Sequence, residues 1–243
     1  TTQEDTPNGL FSPAIIDLDN NGTVDYVYAG DNHGNLWAFN FSDASDSSWS
    51  LSYGSNPLFS GNLGQPITVE PTIIRHPTVS SAAKPNVLIL FGTGRFLSEA
   101  DKTLNDIQSF YAIWDIGQSN LNRLNLEAQN FLLNNEKGRV TDSNLEISYN
   151  SISNKKYGWY LDLPTTGERV TSNSLVRENI VYFNSVIPER SVCASGGTGW
   201  EMSLKTVNGG SPDNAVFDYN DDGVVKITRS GGDEYPVEKS DQE

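Results

Sequence analysis

Residues with softer metal-binding side chains are nearly missing from this 243-residue chain: it has one cysteine, Cys193, and two histidines, His33 and His76. No zinc site can be assembled from that set, and no disulfide can close within the chain. An unpaired Cys193 is expected either to be buried or to pair with a cysteine elsewhere. Positive charge is also scarce. Sixteen Lys and Arg face 31 Asp and Glu, giving a net charge of −15 and a pI near 4.4. Such a surface repels phosphate backbones, which argues against nucleic acid as a partner and favours cations. Long apolar runs are absent too. The longest is Val87-Leu88-Ile89-Leu90-Phe91, far too short to span a bilayer. The first residues, T-T-Q-E-D, lack signal-peptide character and read as the interior of a longer protein.

What remains is turn-rich and β-rich. Hydrophobic residues make up 36% and aromatics 10%, enough for a sizeable core. Ser, Asn, Gly and Thr are plentiful. Segments 24–29 and 36–41 flank the turn Asp31-Asn32-His33-Gly34, the strongest hairpin signal in the chain. Residues 42–66 read as a long surface connection. Further strands are expected near 69–75, 86–92, 110–116, 145–149, 158–163, 168–175, 179–187, 199–205 and 215–217. A helical turn is expected within 99–107 and a short helix from Asn125 to about Leu133. Roughly a dozen short strands with turn chemistry between them indicate an all-β sandwich, barrel or propeller. No strict repeat is visible. At four strands per blade they would build about three blades, whereas a closed ring needs at least about four, so this is expected to be part of a larger ring.

One stretch carries chemistry: D-L-D-N-N-G-T-V-D, residues 17–25. Numbered from one, it puts Asp17 at one, Asp19 at three, Asn21 at five, the Thr23 carbonyl at seven and Asp25 at nine, with Gly22 at the sharp turn of position six. This is the first nine-residue register of an EF-hand-type calcium loop. Calcium takes six to eight hard oxygen ligands, and carboxylates crowded together without a cation repel one another. Position twelve, where an EF-hand carries a bidentate Glu, is Tyr28, and the flanks are strand-like. The reading is a calcium loop on a β scaffold, closed by Asp25. The alternative is an acidic turn without an ion, since Asp, Asn and Gly are common in turns. A second stretch, D-Y-N-D-D-G-V-V-K at 218–226, matches at Asp218, Asn220, Asp222 and Gly223. It ends on Lys226, whose ammonium opposes an ion, and it reads as a plain acidic turn.

Catalytic signatures are not found. There is no G-x-S-x-G, H-E-x-x-H or Walker-type loop, and neither histidine sits in a triad-like setting. G-T-G-R at 92–95 and G-G-T-G-W at 196–200 read as tight turns. Glu168 and Arg169 read as a surface ion pair. Trp37, Trp114, Trp159 and Trp200 read as core or interblade packing rather than a stacking platform.

The acidic loop running into Y-V-Y-A-G-D-N-H-G-N-L-W-A-F resembles the C-terminal domain of the PilY/PilC family, type IV pilus tip-associated adhesins and biogenesis factors. So do F-G-T-G-R-F-L at 91–97, G-E-R-V-T-S-N-S-L-V-R at 167–177 and C-A-S-G-G-T-G-W at 193–200. The resemblance spans about Phe11 to Val225. It implies a modified β-propeller; the residues themselves read as all-β with short helical insertions over 1–229, and the polar, acidic stretch 230–243 as a frayed tail. It also implies a Ca²⁺ site at Asp17, Asp19, Asn21, Thr23 and Asp25 that sets the balance between pilus extension and retraction. Asn21 stands where many members have Asp, which lowers the charge of the site. Implied partners are pilus subunits, among them minor pilins, and a host or abiotic surface, with twitching motility as the process. The implied location is extracellular, at the cell surface or pilus tip, after export through the periplasm. No enzyme activity is implied. Two alternatives stand beside it. G-N-L-W-A-F-N also resembles the blade hairpins of quinoprotein dehydrogenases, although the vicinal cysteines and the cofactor-gripping set are missing. The tryptophans could alternatively serve a carbohydrate-binding adhesion module.

Overall fold

In the computed structural model, residues 7–80, 85–135, 138–189, 196–213 and 216 are described, together with the backbone of 227–228, 234–235 and 240–241. The described chain is almost entirely β. The first sheet contains β1 (Ala14–Ile16), β2 (Tyr26–Gly30), β3 (Asn35–Asn40) and β4 (Ser50–Leu51) in that order, with β5 (Phe59–Ser60) also on β3. The second contains β6 (Thr72–Arg75), β7 (Val87–Gly92) and β8 (Ser109–Asp115). Beyond these come β9 (Glu127–Gln129), the hairpin β10 (Phe131–Asn135) and β11 (Gly138–Thr141), and β12 (Gly158–Asp162). The second sheet runs β6-β7-β8-β12-β9, with β9 parallel to β12. The third contains β13 (Leu175–Arg177), β14 (Ile180–Pro188) and β15 (Gly197–Lys205). A hairpin of β16 (Ile227–Thr228) and β17 (Glu234–Tyr235) follows, and β18 (Ser240–Asp241) pairs with Gly199 and Trp200 of the third sheet.

The three sheets stack like consecutive propeller blades, with the second in the middle. Strand alternation explains how. Val87, Ile89 and Phe91 of β7, with Tyr111 and Ile113 of β8, pack against Tyr28, Leu36 and Ala38 of the first sheet. Leu88 and Leu90, with Phe110, Ala112 and Trp114, pack against Val181, Phe183, Met202 and Leu204 of the third. Both faces of β7 and β8 are therefore covered, which is why β7 reads as one continuous apolar run. Asp115 is a polar exception in this seam. It accepts from the Tyr28 hydroxyl at 2.9 Å and from the Tyr53 hydroxyl, and burial raises its pKa.

Several expectations are corrected. Residues 125–133 are not a helix. A 3₁₀ turn at Arg123–Asn125 is followed by strands β9 and β10, because β9 pairs in parallel with β12 and β10 pairs with β11. Residues 145–149 form no strand, and Tyr149 instead anchors a turn with its hydroxyl on the Val207 carbonyl. Within 168–175, only the bridge of Arg169 to Val186 and the start of β13 are strand-like. The helical turn expected in 99–107 is a 3₁₀ turn at Glu99–Thr103. The connection 42–66 holds β4, β5 and a 3₁₀ turn at Asp46–Ser48. Cys193, the 218–226 loop, most of 215–217 and most of the 230–243 tail lie outside the described residues.

Candidate metal site

The acidic loop is the connection between β1 and β2. Ile16 pairs with Tyr26, and the Asp25 amide donates to the Ile16 carbonyl at 2.9 Å, so residues 17–25 form a closed excursion from a paired base. Gly22 turns it at φ +88°, and Asn20 also has a positive φ, 59°. Both are residue types that tolerate the left-handed region.

The side chains fold inward on this frame. Asp17 accepts the Gly22 amide at 2.7 Å and the Asn21 amide at 3.2 Å. Asp19 accepts the Asn21 amide at 3.1 Å and its side-chain Nδ2 at 3.0 Å. Asp25 is buried and accepts the Leu18 amide at 2.6 Å. One carboxylate oxygen from each of Asp17, Asp19 and Asp25 lies within 4.8 Å of the others. The hydrogen bond from the Gly22 amide is the largest influence on Asp17 and draws its pKa below the usual carboxylate range. Asn21 is oriented within the same loop, its Oδ1 accepting from the Thr23 amide at 2.8 Å and the Thr23 hydroxyl at 2.5 Å. Thr23 is exposed at the loop tip. Tyr28, at EF-hand position twelve, is core and donates to Asp115.

Hard oxygens only, converging from alternate positions around a glycine turn, fit a calcium-sized ion better than a transition metal. The loop is also tied to the fold. Leu18 is buried in the seam between the first and second sheets, and the Arg75 guanidinium of β6 donates to the Leu18 carbonyl.

Other residues singled out by sequence go elsewhere. His76 is buried against Trp114 and Tyr149, its Nδ1 accepts the Val79 amide at 3.1 Å, and burial depresses its pKa to about 4. Glu168 and Arg169 do not form the expected surface pair, and both are buried. Glu168 binds Arg139 across two oxygens, at 2.5 and 2.8 Å, and accepts Ser185. Arg169 donates to the carbonyls of Gly167, Arg95, Asp101 and Leu104. Sequence gave no hint of Arg139 or Asp115, because a lone charged residue in a strand carries no pattern. Trp114 and Trp159 are core, as expected, and Trp37 hydrogen-bonds Asp31.

Comparison with known proteins points one way. Residues 1–145 match the model of the PilY1 beta-propeller domain family. The type IV pilus biogenesis factor PilY1 of Pseudomonas aeruginosa is 31% identical over 268 aligned residues, covering 93% of this chain and 23% of that protein. A PilY1 homolog from Xylella fastidiosa is 33% identical over 224 residues, covering 84% of this chain and 14% of that protein. The chain thus spans less than a quarter of the length of these relatives. The crystal structure of the Pseudomonas aeruginosa PilY1 C-terminal domain superposes with a TM-score of 0.78 at 28% identity, covering all of this chain and 57% of that one.

Proposed function

The chain belongs to the PilY1 family, and from that premise we propose that it is a calcium-binding β-propeller segment acting in type IV pilus biogenesis. Asp17, Asp19 and Asp25 supply carboxylate ligands, Asn21 a side-chain oxygen, and Thr23 its backbone carbonyl. Water completes the shell. The observation that carries this reading is the convergence of three carboxylates within 4.8 Å on a closed loop. With no cation, that cluster holds three like charges. A divalent ion neutralises two of them and fixes the loop.

The proposed role is a structural switch. Calcium orders the base of β1 and β2, and through Leu18 and Arg75 the seam with the second sheet. That changes the surface offered to pilus subunits and biases extension against retraction. Surface adhesion, twitching motility and an extracellular, pilus-associated location go with this role. So does the division into a propeller segment at 1–229 and a tail at 230–243, whose Ser240 and Asp241 pair with the third sheet. The relatives are named as biogenesis factors rather than enzymes, which supports a non-catalytic reading. Calorimetric titration of chelator-stripped protein with calcium tests it. One saturable event per chain is expected, absent in Asp25→Ala. Loss of calcium binding in the parent protein, or its survival in Asp25→Ala, refutes the assignment.

A further inference from the structure

Three Asn-Gly pairs occur in the chain, at 8–9, 21–22 and 208–209. Asparagine is a labile residue, and before glycine no side chain shields the next nitrogen from its side-chain amide. The fold sets these three pairs in very different surroundings. We propose that Asn21 is a self-modification site: it loses ammonia through a cyclic imide with Gly22 and becomes aspartate or isoaspartate. Asp17 takes the proton, and Thr23 stabilises the charge on the side-chain oxygen.

The reaction makes three demands, and the loop meets each. The nucleophile, the Gly22 nitrogen, must give up its proton. Its N–H points at an Asp17 carboxylate oxygen at 2.7 Å. The electrophile, the Asn21 side-chain carbon, must be polarised. Its Oδ1 accepts the Thr23 amide at 2.8 Å and the Thr23 hydroxyl at 2.5 Å, two donors placed where negative charge develops. The reacting atoms must also be close. The hydrogen bond from the Thr23 amide folds the Asn21 side chain back along the Gly22 peptide, which holds both atoms in one short turn. Asn21, Gly22 and Thr23 are all exposed, so water reaches the imide and ammonia can leave. The space beside Gly22 is open, with nothing within 4 Å of where a Cβ would stand.

The other two pairs lack these partners. The Gly9 amide donates at 2.9 Å to the Oδ1 of Asn8 itself, so its hydrogen faces no base, and Asn8 Nδ2 is tied to Asp31 at 3.0 Å. At Asn208 the Gly209 amide donates to the Lys205 carbonyl at 2.8 Å, and Nδ2 donates to the carbonyls of Ser143 and Leu145 at 3.3 and 2.9 Å. Gly209 is buried, with the Trp159 ring 2.5 Å from where its Cβ would stand, so water is kept away. Asn21 is therefore expected to react first, Asn8 more slowly and Asn208 least.

Atoms and protons balance with water as the only co-reactant. Asp17 accepts the Gly22 proton, the nitrogen bonds to Asn21 Cγ, and the Cγ–Nδ2 bond breaks. Nδ2 leaves as ammonia, carrying that proton away. Water then opens the ring. Cleavage of the new Cγ–N bond gives aspartate, and cleavage of the original peptide C–N bond gives isoaspartate, with one more carbon in the backbone. Either product adds a negative charge. On the calcium reading above, aspartate gives the loop a fourth carboxylate and a tighter grip, whereas isoaspartate moves Thr23 and Asp25 out of register. That consequence rests on the calcium reading, and the modification itself does not.

The test incubates the chelator-stripped full chain at neutral pH and follows all three sites by peptide mass spectrometry. That method reads the gain of one mass unit and separates aspartate from isoaspartate. The expected rate at Asn21 is at least about tenfold that at Asn8, with Asn208 unmodified. In concentrated urea, where the loop is lost, the three rates should converge. Asp17→Asn should slow Asn21 about tenfold, and Thr23→Val, which deletes only an exposed hydroxyl, should slow it several-fold, with Asn8 unaffected in both. An Asn21 rate no higher than that of Asn8, the same rate order in urea, or an unchanged Asn21 rate in both variants overturns the proposal. A calcium arm separates this inference from the metal assignment. Saturating calcium should slow Asn21 alone, since the ion occupies Asp17 and the Asn21 oxygen. A rate that calcium leaves unchanged, with the variants behaving as expected, refutes the calcium reading and upholds the modification.

Discussion

His76 shows how a single side chain makes stability depend on pH. Its ring is wedged between Trp114 and Tyr149, its Nδ1 already accepts a backbone amide, and its Nε2 is buried without a partner among the described residues. Burial lowers its pKa to about 4 in the folded chain, against about 6.5 unfolded. Between those values the unfolded state binds the extra proton, so the contribution is complete above about pH 6.5 and is lost as pH falls towards 4. Replacing it by Phe should flatten the stability–pH curve across that window by on the order of 2 kcal/mol. Denaturant titrations of both proteins at several pH values measure it. Curves that stay parallel from pH 7 to 4 would contradict this account of His76. The same residue shows a limit of sequence reading. As His76 before Pro77 it looked unremarkable, because its role depends on rings contributed from 114 and 149. The acidic loop was legible for the opposite reason. All its proposed ligands fall within nine consecutive positions, so spacing alone brings them together, and the structure does gather Asp17, Asp19 and Asp25.

Among elements, local signals were reliable and distant ones were not. The β2–β3 hairpin and the β7 run were legible because a turn sequence and an unbroken apolar stretch are each contiguous. Residues 125–133 misled because Asn125 reads as a helix cap with Leu126, Phe131 and Leu132 available for packing behind it. In the fold, β9 is claimed as a parallel neighbour by β12 and β10 as a partner by β11, and tertiary pairing overrides a weak local preference. Glu168 and Arg169 misled in the same way, since adjacency suggested a pair that the backbone sends in two directions. The true partner, Arg139 on β11, stacks on Trp200 at 4.2 Å and joins β11 to the loop before β13 and to β14 through Ser185. Glu168→Gln leaves a buried guanidinium without its counter-charge, at a cost of about 3–5 kcal/mol. A melting temperature lower by roughly 10 °C is expected by calorimetry, and a shift under about 2 °C would show that the pair does not hold these elements.

At the scale of the whole molecule, the layering follows from which sheet is covered twice. The second sheet is apolar on both faces and so must sit in the middle. The first and third each offer it one face, in the manner of blades around an axis. Its all-β character and short strands were readable from composition and turns. The stacking order was not, because it depends on which strands share a core. The account's central claim is that the loop at one end of this stack grips a calcium ion. Anomalous diffraction from crystals grown with calcium tests that most directly. The account predicts a peak 2.3–2.6 Å from oxygens of Asp17, Asp19, Asp25 and the Thr23 carbonyl, with six to eight oxygens in all. A well-ordered loop with those carboxylates turned to solvent and no peak among them, at saturating calcium, would contradict it.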